Sequence, residues 1–176
     1  MKVHAVLLLT TLLLVLAGTA CQLQAGEISA KLSPGSVGAG RVSVVKSAKM
    51  FDRLRVELEV PQSQYGLGLQ VPMTLSITNT SRQPVTLRFS SGRRYDFVVS
   101  QGGAEIWRWS HGMAFTQALT SMEIAPGRTV SYTGYWSQQD NDGHAVPAAT
   151  YRVTGIVTTM EPAPMKAGPI AVTTRK

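Results

Sequence analysis

At 176 residues the chain suits one ordinary domain and is too short for two full ones. Its 44% hydrophobic content supports a packed core and excludes a disordered chain. The 17 Lys+Arg against 10 Asp+Glu give a formal +7, but the cations stand singly or in pairs such as Arg53/Arg55 and Arg93/Arg94. The basic cluster of a nucleic-acid binder is missing, so no nucleic-acid partner is expected. A single cysteine, Cys21, excludes an intrachain disulfide and a cysteine-rich metal site.

The chain opens on an apolar leader. Met1-Lys2 is a short positive start, and residues 5–17 (AVLLLTTLLLVLA) are apolar apart from two threonines, ending in Gly18-Thr19-Ala20-Cys21. This is the layout of a secretory signal: too short to span a bilayer well, and closed by small residues that a signal peptidase accommodates. The cysteine after Gly-Thr-Ala resembles a bacterial lipobox, with Gly18 where leucine is usual. Two readings follow: a lipoprotein anchored through Cys21, or a secreted protein cut after Ala20 or Ala25. The first is preferred, because free cysteines are unwelcome in exported proteins. Several acyl chains at about 0.8 kcal/mol per buried methylene would anchor it firmly. Residues 1–20 are thus expected to be a signal peptide, and the protein to face outside the cytoplasm. Residues 21–40, with Ser33-Pro34-Gly35-Ser36 and Gly38-Ala39-Gly40, read as a flexible tether before a domain spanning 41–176.

That domain reads as strands. Residues 41–51 are β-prone, and Lys46 and Lys49 suit an edge that must avoid pairing with other chains. Leu54, Val56, Leu58 and Val60 alternate with charged residues, the cleanest amphipathic strand in the chain. After a turn over 61–68, Val71, Met73, Leu75 and Ile77 repeat the pattern up to Asn79-Thr80-Ser81, and Val85, Leu87 and Phe89 follow. Residues 88–110 carry Tyr95, Phe97, Val99, Trp107 and Trp109, broken by turn compositions at Ser90-Ser91-Gly92 and Gln101-Gly102-Gly103. A loop over 110–117 precedes short strands at 119–124 and 130–136, with a polar hairpin turn expected over 138–144. Strands over 150–158 and 169–174 close the chain, joined by a proline-broken link over 161–167. No stretch shows sustained helical spacing. Eight to ten strands with turn chemistry between them predict an all-β antiparallel sandwich, with a closed barrel as the alternative.

Raw material for catalysis is poor. His4 lies in the leader, and neither His111 nor His144 has the orienting carboxylate of a triad or the clustered ligands of a zinc site. Asp140-Asn141-Asp142-Gly143 lacks the later acidic ligands of a calcium loop and reads as a turn. Trp107 and Trp109 could form a ligand platform, but strand spacing favours core packing. Neither an enzyme nor a metal site is expected.

Phe89-Ser90-Ser91-Gly92, Tyr95-Asp96-Phe97-Val98-Val99, Trp107-Arg108-Trp109-Ser110, Met113-Ala114-Phe115 and Gln117 together resemble the BsuPI-type intracellular proteinase inhibitor domain. The likeness continues through Ala125-Pro126-Gly127, Trp136, Asp142-Gly143, Pro147, Tyr151 and Gly155, covering about 71–158. The resemblance implies an immunoglobulin-like β-sandwich that inhibits a serine protease and uses no cofactor. With the leader, it implies a tethered monomer whose protein partner is a protease outside the cytoplasmic membrane. The alternative is an envelope adhesion or scaffold module binding protein or wall polymer.

An inhibitor must present a segment that fills a substrate cleft with little loss of conformational entropy. The candidate contact loop is His111, Gly112, Met113, Ala114 and Phe115, whose Met113 and Phe115 either enter a pocket or fold back as an end cap. Arg93 and Arg94 form a second candidate, suited to a protease that prefers basic residues, with a solvated turn as the other reading.

Overall fold

The computed structural model describes residues 44–176; the leader, Cys21 and the tether lie outside them. Eleven strands follow in order: β1 Val45–Phe51, β2 Leu54–Val60, β3 Gln64–Gly66, β4 Val71–Asn79, β5 Val85–Phe89 and β6 Tyr95–Gln101, then β7 Ala104–Arg108, β8 Thr120–Ile124, β9 Thr129–Trp136, β10 Thr150–Val157 and β11 Met165–Arg175. There is no helix among the described residues. One sheet runs β1-β2-β4-β9, a second runs β3-β11-β10-β6-β7, and β5 pairs with β8 in a small third. Every pairing is antiparallel except β3 with β11. The all-β sandwich expectation holds.

Alternation decides which face each strand buries. Leu54, Val56, Leu58 and Val60 of β2 and Val71, Met73, Leu75 and Ile77 of β4 are all buried, while the residues between them are not. Period-two patterning does this because successive side chains on a strand point to opposite faces. The two larger sheets meet closely. A Cβ at Gly155 of β10 would lie 2.7 Å from a Leu75 methyl, and one at Gly134 of β9 would lie 2.8 Å from the Phe97 ring. Trp136 closes the core edge-on to Tyr151 at 5.0 Å, and its indole N–H donates to the Gln139 carbonyl at 2.8 Å. Asn79 is buried at the end of β4, and its amide donates to the Ile124 carbonyl at 2.8 Å, tying the small sheet to the first.

β1 is an edge strand, and Lys46 meets Glu59 at 2.6 Å and Glu57 at 3.2 Å on β2. Gly102 and Gly103 take positive φ at the β6–β7 turn, as their composition suggests.

Four local expectations are corrected. The turn over 61–68 contains β3, whose pairing with β11 needs no hydrophobic alternation. Residues 138–144 do turn back on themselves, closed by an antiparallel bridge between Gln139 and Ala145, but the turn does not pair β9 with β10, which belong to different sheets. The last strand begins at Met165, not 169: a register shift between Val153 and Gly155 of β10 accommodates Gly168-Pro169. Finally, β8 begins at Thr120 and leaves Leu119 in the loop, because the ladder stops where Thr120 faces Phe89, the last residue of β5.

Candidate functional site

One end of the β6–β7 hairpin organises the two segments singled out from the sequence. Gln101 pairs with Ala104 and Ser100 with Glu105, but Val99 then pairs with Trp107 and Val98 with Arg108. The extra residue is a bulge, and it shifts every later side chain by one position. Continuing the shifted register sets Ser110 beside Asp96, and Trp109 donates its backbone N–H to the Phe97 carbonyl at 2.9 Å.

Asp96 is the hub. Its side chain is 1% exposed. One carboxylate oxygen, Oδ2, accepts from Ser110 Oγ at 2.7 Å, Arg108 Nη1 at 2.9 Å and Arg93 Nη1 at 3.3 Å. The other, Oδ1, accepts the backbone N–H of Phe97 at 3.0 Å and of Ser110 at 3.2 Å. Arg93 Nη1 also donates to Ser110 Oγ at 3.1 Å. A buried carboxylate is tolerable only with such a full set of donors. Glu105 raises the Arg108 pKa, with Asp96 adding to it, so this guanidinium stays charged.

The loop beyond Ser110 is built on this hub. A turn forms first, with His111 N–H bonded to the Arg108 carbonyl at 3.0 Å and Met113 N–H to the Ser110 carbonyl at 3.1 Å. Residues 113–119 then belong to no strand and are exposed except for Phe115. A second anchor lies midway, where Gly92 N–H donates to the Thr116 carbonyl at 2.8 Å. A Cβ at position 92 would come within 2.6 Å of Thr116 Oγ1, so a larger residue there would have to push the Thr116 side chain aside.

Aromatic rings support the same loop. Phe115 lies 6.3 Å from Trp109, Trp109 lies 4.4 Å from Tyr95, and Tyr95 stacks on Tyr132 at 4.4 Å. Tyr132 is on β9, so the ladder joins the loop to both larger sheets. Burial pushes the Tyr95 and Tyr132 hydroxyls above their ordinary pKa, with the Asp96 charge adding to it for Tyr95.

The sequence candidates therefore come together: the turn carrying Arg93 and Arg94 braces the loop carrying His111, Gly112, Met113, Ala114 and Phe115. Met113 is 48% exposed, while Phe115 is half-buried against Trp109, so the two alternatives divide between them. Arg93 is engaged by Asp96 and Ser110, and the Arg94 guanidinium lies 5.5 Å over the Phe89 ring. Trp107 and Trp109 are partly buried and pack on the core.

The anchoring roles of Asp96, Gly92 and Thr116 do not emerge from the sequence. A lone carboxylate between Tyr95 and Phe97, with arginines nearby, was the available signal for the first. The bulge that aims Ser110 and Arg108 at it leaves no mark in the alternation.

The other polar cluster lies in the crossing segment after β9. Asp140, Asp142 and His144 place ligand-type atoms within 4.8 Å of one another. Asp140 Oδ1 accepts the backbone N–H of His144 at 2.8 Å and of Asp142 at 2.9 Å, which is turn construction. Those bonds lower the Asp140 pKa.

The family model described as "BsuPI: Intracellular proteinase inhibitor" matches residues 54–162. The chain belongs to the BsuPI family. The match takes in both anchored segments and the hub, and a BsuPI domain is named for inhibition and not for catalysis. Membership also corrects the expected location: the family is described as intracellular, which overturns an exported, lipid-anchored protein. No helix among the described residues is long and apolar enough to cross a membrane.

No curated protein matches the chain. Among solved structures, a β-glucosidase from Erythrobacter marinus is 10% identical with a TM-score of 0.41, over 75% of this chain and 16% of that one. The CARDB domain of PF1109 from Pyrococcus furiosus, in complex with di-metal ions, is 11% identical with a TM-score of 0.36, over 75% and 89% of the two chains. The BsuPI chain thus spans a small part of the glucosidase, and those activities and ions are said of those proteins alone.

Proposed function

We propose that this protein inhibits a serine protease by laying residues 113–119 into the substrate cleft. The observation that carries this reading is the form of that segment: exposed, outside any strand, and fixed to the scaffold at Ser110 and Thr116. The backbone N–H groups of residues 114–118 have no hydrogen-bond partner among the described residues. An extended chain with free backbone groups pairs with a partner by strand addition. Two anchors restrict its motion beforehand, so less conformational entropy is lost on binding.

The turn at Arg93 and Arg94 acts as a brace in this reading. Both guanidinium groups already have partners, so neither is the group offered to a protease. Family membership supports a protease as the partner, and the intracellular description replaces the extracytoplasmic target. The test is titration of the full chain against serine proteases of differing specificity. Stoichiometric inhibition of at least one is expected, with protection of residues 113–119 from hydrogen exchange in the complex. No inhibition at micromolar excess would overturn the reading.

A further inference from the structure

We propose that Leu119 is the side chain this inhibitor places in the protease's primary pocket, so that its target prefers large apolar residues. The inference rests on the inhibitory reading above and deepens it.

The segment offers three large apolar side chains, and their surroundings differ. Phe115 is turned against Trp109 and serves the scaffold. Met113 is half-exposed and sits in the turn that its own N–H closes onto Ser110. Leu119 is 79% exposed, more than any other large hydrophobic side chain among the described residues. The side chain with least shelter on its own domain gains most from entering a pocket.

Its backbone is held on both sides. The Thr116 carbonyl is fixed by Gly92, and Thr120 is the first residue of β8, opposite the fully buried Phe89. Gln117, Ala118 and Leu119 therefore form a short exposed bridge between two fixed points. The small side chain of Ala118 leaves the approach to Leu119 open. Leu119 and the 46% exposed Met160 flank one shallow depression of about 300 Å³. A protease rim could seat there once Leu119 is engaged. Arg88, on the same depression, is paired with Glu161 at 3.4 Å and presents no free cation to a pocket selecting basic residues.

The experiment uses the full chain and two serine proteases, one cleaving after large apolar residues and one after basic residues. The wild-type protein is expected to inhibit the first. Leu119→Ala should weaken that inhibition at least about 30-fold, the factor typical of a central anchor residue. Leu119→Lys should transfer inhibition to the second protease. Met113→Ala should change either by less than about 3-fold, a rim-sized effect. Because Leu119 is solvent-exposed, thermal midpoints of its variants should match the wild type. Inhibition unchanged by both Leu119 variants, or a loss that follows Met113→Ala instead, would overturn the assignment while leaving the inhibitory reading intact. Wild-type protein inhibiting neither protease would overturn both.

Discussion

The β2–β4 face and the hub around Asp96 are built on opposite principles. Along β2 and β4, buried apolar residues alternate with partly exposed, mostly polar ones, and no charged group is buried among them. Around Asp96, a buried carboxylate, two arginines, a serine and a bulge hold an exposed loop in place. The first arrangement is non-directional and supplies stability in proportion to buried area. The second is directional, adds less net stability, and fixes where one segment emerges. A binding segment braced in this way can be exposed without being loose.

Substitutions in the two regions should separate stability from presentation. The largest effect is expected for Leu75→Ala in the plain sheet, at about 2–5 kcal/mol, because the surrounding side chains relax only partly into the cavity. Denaturant unfolding would measure it, and the protein that remains folded should inhibit as before. Asp96→Ala should lower stability less, by about 1–3 kcal/mol. Arg93 and Arg108 are 38% and 31% exposed, so water can take over part of their solvation. Inhibition should weaken and hydrogen exchange at Ser110, His111 and Met113 should speed up, since Ser110 loses its anchor. Normal inhibition by Asp96→Ala would break the contrast between the regions.

The smallest effect concerns pH. Burial raises the Tyr95 and Tyr132 pKa above the ordinary value of 10.0. Above that pH the unfolded chain releases these protons before the folded one does. The native state then binds more protons, so stability present below about pH 10 should fall as pH rises through the raised values. Denaturant unfolding from pH 8 to 11 would show the decline, and Tyr132→Phe should make it shallower.

How much of this was legible in the residues depended on the kind of interaction. The core strands were readable because burial follows side-chain alternation, a local property. So was the β6–β7 turn, since Gly102 and Gly103 relieve the steric penalty of positive φ. The family was legible in the linked aromatics and turns over 71–158, and the model match widens it to 54–162. The apolar leader, by contrast, pointed to export, which the intracellular family description corrects.

By itself, the sequence determined that this is an all-β domain, which residues form its inner faces, and that residues 110–117 leave an aromatic-rich strand as a loop. Only the tertiary structure decided how that loop is held. A one-residue bulge sets Ser110 on Asp96, Gly92 meets Thr116 from a distant turn, and the end of β5 leaves Leu119 outside the ladder. Each of these depends on register between segments far apart in the chain. A shift of one residue redirects side chains while leaving composition and periodicity almost unchanged.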